Sequence, residues 1–253
     1  MHQKIKHAII LLAIACVVVS CTSSKKVVYF QDSQDFETIV TENRFEPKFK
    51  VDDVISIYVA TLNPEASAPF NLTIGVAANG QSESLDYIVD KNGDIEFPVI
   101  GKVNVLGLSP EELKIDLKER LSSYLKDPII NVRLRNFTVT VLGEVRRPGT
   151  YPIIGEQVTI LEALGLAGDL TIKGKRENVM VIRDFDGVKV YNRLDLTSKD
   201  VMNSPAYYLT QNDVVYVEPN KSAAVASSLD NRTTIALSIL SLIVTTTLFL
   251  TRN

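Results

Sequence analysis

The sequence predicts an α+β protein in which two modest, β-rich domains are followed by a transmembrane helix. Three observations carry this: short β-branched stretches bounded by turn residues, two helix starts with capping chemistry, and an uncharged apolar run near the C-terminus. With 253 residues, 45% of them hydrophobic, the chain is long enough for two such domains.

Met1 to His7 is positive through Lys4 and Lys6, and Ala8 to Val19 carries no charge, which is the build of a secretory signal over residues 1–20. Its apolar run is too short for a comfortable membrane span, and Ser20 supplies the small residue a signal peptidase needs. Val18-Val19-Ser20-Cys21 resembles a bacterial lipobox, which makes Cys21 the expected lipidation site and the first residue after cleavage. A box at Ala13-Ile14-Ala15-Cys16 is the alternative, with a shorter apolar run and a poorer residue three before the Cys. Residues 21–44 are basic and then polar with little period, as a tether is, and folded structure is expected from Phe45 onward.

Cleavage before Cys21 removes His2 and His7, the two histidines of the chain, and leaves no cysteine besides the lipidated one. Ser-His-Asp or Cys-His catalysis, imidazole or thiolate zinc sites and structural disulfides are then all excluded. Loss of Lys4 and Lys6 takes the formal net charge from −3 to −5, which argues against nucleic acid as a partner. No cofactor or metal site is expected.

In the first domain, residues 45–135, Val54 to Val59 is β-branched enough for a strand, and Asn63-Pro64 to Pro69-Phe70 is expected to be a long loop. Tyr87 to Val89 and Asp94 to Phe97 flank Asn92-Gly93, which predicts a hairpin between them. Asp90, Asn92 and Asp94 offer oxygens at alternate positions, but Gly93 is misplaced for a calcium loop and Gly101 stands where the closing Glu belongs. Ser109-Pro110-Glu111-Glu112 opens a helix as a capping box with proline in the first turn. Leu113, Leu117, Leu121 and Leu125 make its buried stripe, Asp127-Pro128 ends it, and Ile129 to Arg135 alternates as a half-buried strand.

The second domain, residues 136–218, opens with a strand from Phe137 to Leu142 and a turn at Arg146-Arg-Pro148-Gly149. A helix starting at Thr159, with Glu162 three residues on, a hairpin about Asp186-Gly187 and a strand from Asp213 to Val217 follow. Pro98-Val-Ile-Gly101 and Pro152-Ile-Ile-Gly155 precede the two helices alike, either from a distant duplication or as two common turn solutions.

Residues 219–232 read as a linker, and the 19 residues from Thr233 to Thr251 carry no charge. At about 1.5 Å per residue they make roughly 28 Å of helix, close to the bilayer's hydrocarbon thickness. Thr234, Ser238, Ser241 and Thr245 share one face of that helix, with leucines and isoleucines opposite. Such a stripe serves either close packing with its hydroxyls bonded to their own backbone, or a ring of helices turning hydroxyls toward neighbours or a lumen.

Several of these stretches resemble the polysaccharide export outer-membrane lipoproteins. Phe49-Lys-Val-Asp-Asp53-Val-Ile-Ser-Ile57 resembles the strand opening their export domain, and Asp90-Lys-Asn-Gly-Asp-Ile-Glu-Phe-Pro98-Val-Ile-Gly101 its hairpin. Val141-Leu-Gly-Glu-Val145, Arg147-Pro-Gly-Thr-Tyr-Pro152 and Leu161-Glu-Ala-Leu-Gly-Leu-Ala-Gly168 resemble the soluble-ligand-binding β-grasp domain of the same family. Asp52 stands where the family more often has Gly, and one β-grasp unit is visible where larger members carry more.

The resemblance implies a β-rich export domain followed by a β-grasp domain, in a ring-shaped homo-oligomer that conducts capsular or extracellular polysaccharide through the outer membrane. It implies an inner-membrane polysaccharide co-polymerase as partner and no catalysis. The alternative is a lipid-anchored glycan- or partner-binding module without a pore, with Tyr151, Tyr207 and Tyr208 as candidate stacking faces. The acid pairs Asp52-Asp53 and Glu111-Glu112 are poor candidates for glycosidase chemistry, because strand neighbours point apart and the second pair serves the helix start.

Overall fold

The computed structural model describes residues 27–38, 46–76, 82–185 and 187–228, together with residues 235, 236, 238, 239, 241–243, 245 and 246 of the C-terminal run. The signal segment, Cys21, Thr234 and the continuous 233–251 span lie outside the described residues.

The first domain runs β1 (Val54–Ala60), α1 (Pro64–Ser67), β2 (Thr73–Val76), β3 (Ser82–Ser84), β4 (Asp86–Ile88), β5 (Asp94–Phe97), β6 (Gly101–Asn104), α2 (Pro110–Leu121) and β7 (Ile129–Leu134). β1 is the centre of an antiparallel sheet ordered β4-β1-β7, and it buries Ile55, Ile57 and Val59 on one face. The α2 stripe closes that core: Leu113, Leu117 and Leu121 are fully buried and Leu125 nearly so. The helix begins where its caps dictate, because Ser109 Oγ accepts from Glu112 N and Glu112 Oε2 accepts from Ser109 N, at 3.2 and 2.7 Å.

Two local expectations fail here. The stretch after β1 is no loop: Asn63 caps α1 by accepting from Glu65 N, Pro64 sits in the first turn, and a 3-10 turn at Ala68–Phe70 buries Phe70. Nor do β4 and β5 form a hairpin, although the Asn92-Gly93 turn is present, with Gly93 at φ 84°. The Asp90 carboxylate accepts from Asn92 N and Asp94 N and closes that turn, while β1 takes β4 and β6 takes β5. The actual hairpin is β5–β6, through a turn in which Val99 and Gly101 both have positive φ.

The second domain runs β8 (Thr138–Gly143), β9 (Gly149–Pro152), β10 (Val158–Thr159), α3 (Ile160–Leu166), β11 (Gly174–Phe185), β12 (Val188–Leu194), β13 (Tyr208–Leu209) and β14 (Val214–Pro219). Its five-stranded sheet is ordered β12-β11-β14-β8-β9, parallel only between β14 and β8. Ile160, Ala163 and Leu164 of α3 pack with Val139, Val141, Val179, Val181, Val215 and Val217, so the sheet grasps one short helix. Thr159 and Glu162 cap that helix reciprocally, as the sequence predicts. The two Pro-x-Ile-Gly stretches take different backbones, since Gly101 lies at φ 75° within β6 whereas Ile153 N donates to Phe137 O beside β8.

Part of the expected linker is helical: α4 (Lys221–Ser228) starts on Asn220, whose Oδ1 accepts from Ala223 N. Among the described residues no helix is long and apolar enough to cross a membrane. The described residues between 235 and 246 are helical, but the full span predicted from sequence is not among them.

Candidate functional site

The two cores meet at the end of β7, where Leu134 packs against both. Asn136 fixes the crossing: its Oδ1 accepts from Val54 N at 2.9 Å and its Nδ2 donates to Asp52 O at 3.0 Å. Asp52 takes φ 69°, a left-handed backbone that glycine adopts freely and Asp tolerates, so the Asp in place of the glycine expected from the resemblance keeps the turn. Asp53, next in the chain, is buried and accepts from Lys50 N at 2.9 Å, and burial pushes its carboxyl up to about 6.

Residues 46–50 run along this junction and leave a cleft on each side. One cavity, of about 250 Å³, is bordered by Pro47, Lys48, Arg133, Phe137, Ile154 and Glu156. The other, of about 210 Å³, is bordered by Glu46, Lys48, Lys50, Arg183, Phe185 and Gln211. Pro47, Lys48, Leu134 and Phe137 line both. Across the second cavity Lys50 Nζ donates to Asp184 O at 3.4 Å and lies 5.8 Å from the centre of the Phe185 ring. The Arg183 guanidinium lies 6.0 Å from the same ring and is held by Asp213 through three hydrogen bonds of 2.7 to 3.1 Å.

Among the described residues, none of those proposed from sequence lines this cleft. Ser238, Ser241 and Thr245 lie in the C-terminal helical segments: Ser241 Oγ donates to Ser238 O, and Thr245 Oγ1 to Ser241 O and Leu242 O, each at 2.9 Å. Thr246, off the stripe, bonds its own helix in the same way. Tyr151 donates its hydroxyl to Arg147 O and packs, like Tyr207, against the second core, and the Tyr207 and Tyr208 rings meet edge to face at 5.2 Å. Burial raises the Tyr207 phenol. These three are half-buried sheet and turn residues. Asp52 is exposed while Asp53 is buried, Glu112 is spent on the helix cap and Glu111 on Lys114, so neither acid pair flanks a common point.

A contact missed by sequence reasoning lies at residues 27–38. This strap docks on the second domain: Phe30 N donates to Leu196 O, Gln31 N to Thr197 O, and Asp32 accepts from Ser198 Oγ and Lys199 N. The Tyr29 hydroxyl donates to Asp169 Oδ1 at 2.5 Å while the buried Arg176 guanidinium lies 5.2 Å from its ring. Tyr29-Phe30, the aromatic pair in a polar stretch, was the available signal.

Comparison with known proteins places both domains. The model described as polysaccharide biosynthesis/export protein matches residues 42–135, and the SLBB domain model matches residues 138–192. The EPS I polysaccharide export outer membrane protein EpsA of Ralstonia solanacearum is 29% identical over 143 residues, 55% of this chain and 37% of that protein. The protein of the same name from Ralstonia nicotianae (strain ATCC BAA-1114 / GMI1000) is 31% identical over 140 residues, 52% of this chain and 37% of its own. The chain therefore spans little more than a third of the length of these curated relatives. With an export domain built on β1 followed by an SLBB domain built around α3, the two matches together support the polysaccharide export family for this chain.

Proposed function

We propose that this protein is a subunit of an oligomeric conduit that exports capsular or extracellular polysaccharide across the outer membrane. The observation that carries the proposal is the pairing of the two matched domains with relatives named as polysaccharide export outer membrane proteins. In this reading Cys21 carries the lipid, the two domains lie in the periplasm, and copies assemble into a ring. The run from Thr233 to Thr251 crosses the membrane as a helix, with Thr234, Ser238, Ser241 and Thr245 toward neighbouring helices or a lumen. The protein does no covalent chemistry; an inner-membrane co-polymerase delivers the polymer, and the conduit supplies a hydrated path. The divergence of Asp52 from Asp53 and the engagement of Glu111 and Glu112 support a non-enzymatic role.

Electron microscopy of the full chain purified in detergent tests this. A closed ring with a central passage is expected, and a monomer at every concentration overturns it.

One observation favours the second reading, a lipid-anchored binding module without a pore: the hydroxyls of Ser241 and Thr245 bond their own helix backbone. Deleting residues 233–253 separates the two. Surface polysaccharide disappears if the helix forms the passage and persists if it only anchors.

A further inference from the structure

The 210 Å³ cavity between the domains has the walls of a small binding site. Phe185 is 49% exposed although it ends the long interior strand β11, which leaves an apolar ring edge and face at the cavity rather than in the core. Lys50 stands beside that ring, and among the described residues its ammonium is in no ion pair, with one long bond to a backbone carbonyl. Gln211 lines the same cavity, is 9% exposed, and has no hydrogen-bond partner for its Oε1. A polar atom buried without a partner is costly, so a small turn of the Gln211 amide that brings Oε1 to the cavity wall would let a ligand hydroxyl supply the missing bond. Arg183 is not available to a ligand, because Asp213 and Tyr208 O occupy it; its part is to hold Phe185 in place.

These features select a ligand class. An aromatic ring at a wall that also carries an amide and an ammonium suits a pyranose, which has an apolar C–H face and hydroxyls around its rim. Lys48 and Lys50 face one acid, Glu46, and Lys48 is already drawn toward Glu112 at 3.7 Å. The two lysines are thus balanced by Glu46 and Glu112, but among the described residues Lys50 alone of the lining cations is in no ion pair, and a lone ammonium matches a single carboxylate better than a doubly charged phosphate. The volume lies below the roughly 300 Å³ at which sites for drug-sized molecules begin, so the cavity admits one sugar unit and not a folded length of polymer.

We infer that the cleft between the export and SLBB domains binds one carboxylate-bearing sugar unit, stacked on Phe185 with its carboxylate on Lys50 and a hydroxyl at Gln211. The inference rests on the export reading for the identity of the chain that supplies the sugar. Lys48 and Lys50 belong to the segment entering the first domain, whereas Phe185 and Gln211 belong to the second. A bound unit therefore ties the two domains together at their junction, and a passing acidic polymer would register there one unit at a time.

The test is titration calorimetry of the full chain in detergent, with tetragalacturonate as the acidic probe and maltotetraose as the neutral one. Tetragalacturonate should bind weakly, and raising the salt about tenfold from 50 mM should weaken it, as screening of a partly exposed ion pair requires. Lys50→Gln and Phe185→Leu should each weaken binding at least about tenfold, a loss of about 1.4 kcal/mol. Lys50→Arg should retain it, and Lys91→Gln, on the exposed turn of the first domain, should leave it unchanged. Equal binding of the neutral probe, unaltered binding by Lys50→Gln, or no binding of tetragalacturonate by the folded protein each overturns the inference. Binding does not require a ring, so a failed ring by microscopy sinks the conduit reading alone, and failed calorimetry with an intact ring sinks this one alone.

Discussion

Arg183 and Asp213 form a buried, fork-like ion pair in the second domain, with Arg183 Nη2 donating to Asp213 Oδ2 at 2.7 Å and Nε to Oδ1 and Oδ2 at 3.0 and 3.1 Å. Asp213 also accepts from Thr210 N and Thr210 Oγ1, and Arg183 donates to Tyr208 O, so one pair organises the turn between β13 and β14. Removing one partner of such a pair strands the other charge away from water. Asp213→Ala should cost on the order of 3–5 kcal/mol in urea unfolding, far more than loss of an exposed pair such as Lys114 with Glu111. A loss below about 1 kcal/mol would mean that water reaches Arg183 and that the pair is not sealed.

Asp53 gives the first domain a pH signature. Burial raises its carboxyl from 3.8 to about 6, so the folded state holds a proton in a range where the unfolded chain has released it. The sign follows: this group favours folding at low pH, and its contribution is lost as pH rises from 3.8 through about 6. Asp53→Asn keeps an oxygen for Lys50 N and removes the titration. The melting temperature of the variant relative to the parent should therefore climb between pH 4 and pH 7 and level off above. A constant difference across that range would refute the burial argument.

Much of this architecture was legible because local chemistry and tertiary packing agree. Ser109 with Glu112 and Thr159 with Glu162 mark both helix starts in sequence, and both capping boxes form. The leucine stripe of α2 is core, as its four-residue spacing requires. The β4–β5 hairpin was misread because Asn92-Gly93 specifies a turn but not the partner of either strand; β1 and β6 outcompete that pairing from a distance. The cleft was illegible for a related reason. Lys50 and Phe185 lie 135 positions apart in the chain, and the motif that contains Lys50 marks a strand start without pointing to Phe185, so only the packing of two domains brings them together.

The strap makes a local stability prediction. Tyr29 to Asp169 is a long-range tie beside Arg176, and burial raises the Tyr29 phenol, consistent with a hydroxyl that stays a donor. Tyr29→Phe removes that bond and keeps the ring. Amide exchange at Phe30 and Gln31, whose N–H groups donate to Leu196 O and Thr197 O, should speed up by about tenfold, while amides in β14 stay unchanged. Unaltered exchange at both residues would show that the backbone bonds alone hold the strap.

Gly143 explains why the Val141-Leu-Gly-Glu-Val145 motif tolerates one residue at its centre. It ends β8 at φ 89°, and a Cβ placed there would lie 2.0 Å from Val217 O and 2.9 Å from Val217 C. That carbonyl belongs to β14, the parallel neighbour of β8, and it accepts from Glu144 N at 3.0 Å. Val217 O is backbone at the middle of the sheet, with no side-chain rotation available to relieve the clash, and the left-handed φ adds its own penalty. Gly143→Ala must therefore part β8 from β14 at the position where Glu144 turns away to accept from Thr171 Oγ1. The expected cost is about 3 kcal/mol or more, read as a lower urea midpoint with the slope preserved. The equivalent change at Gly165, where nothing lies within 4 Å of a built Cβ and the residue sits inside α3, should be neutral or stabilising by up to about 1 kcal/mol. Equal effects at the two glycines would rule out close approach of the strands as the reason for Gly143.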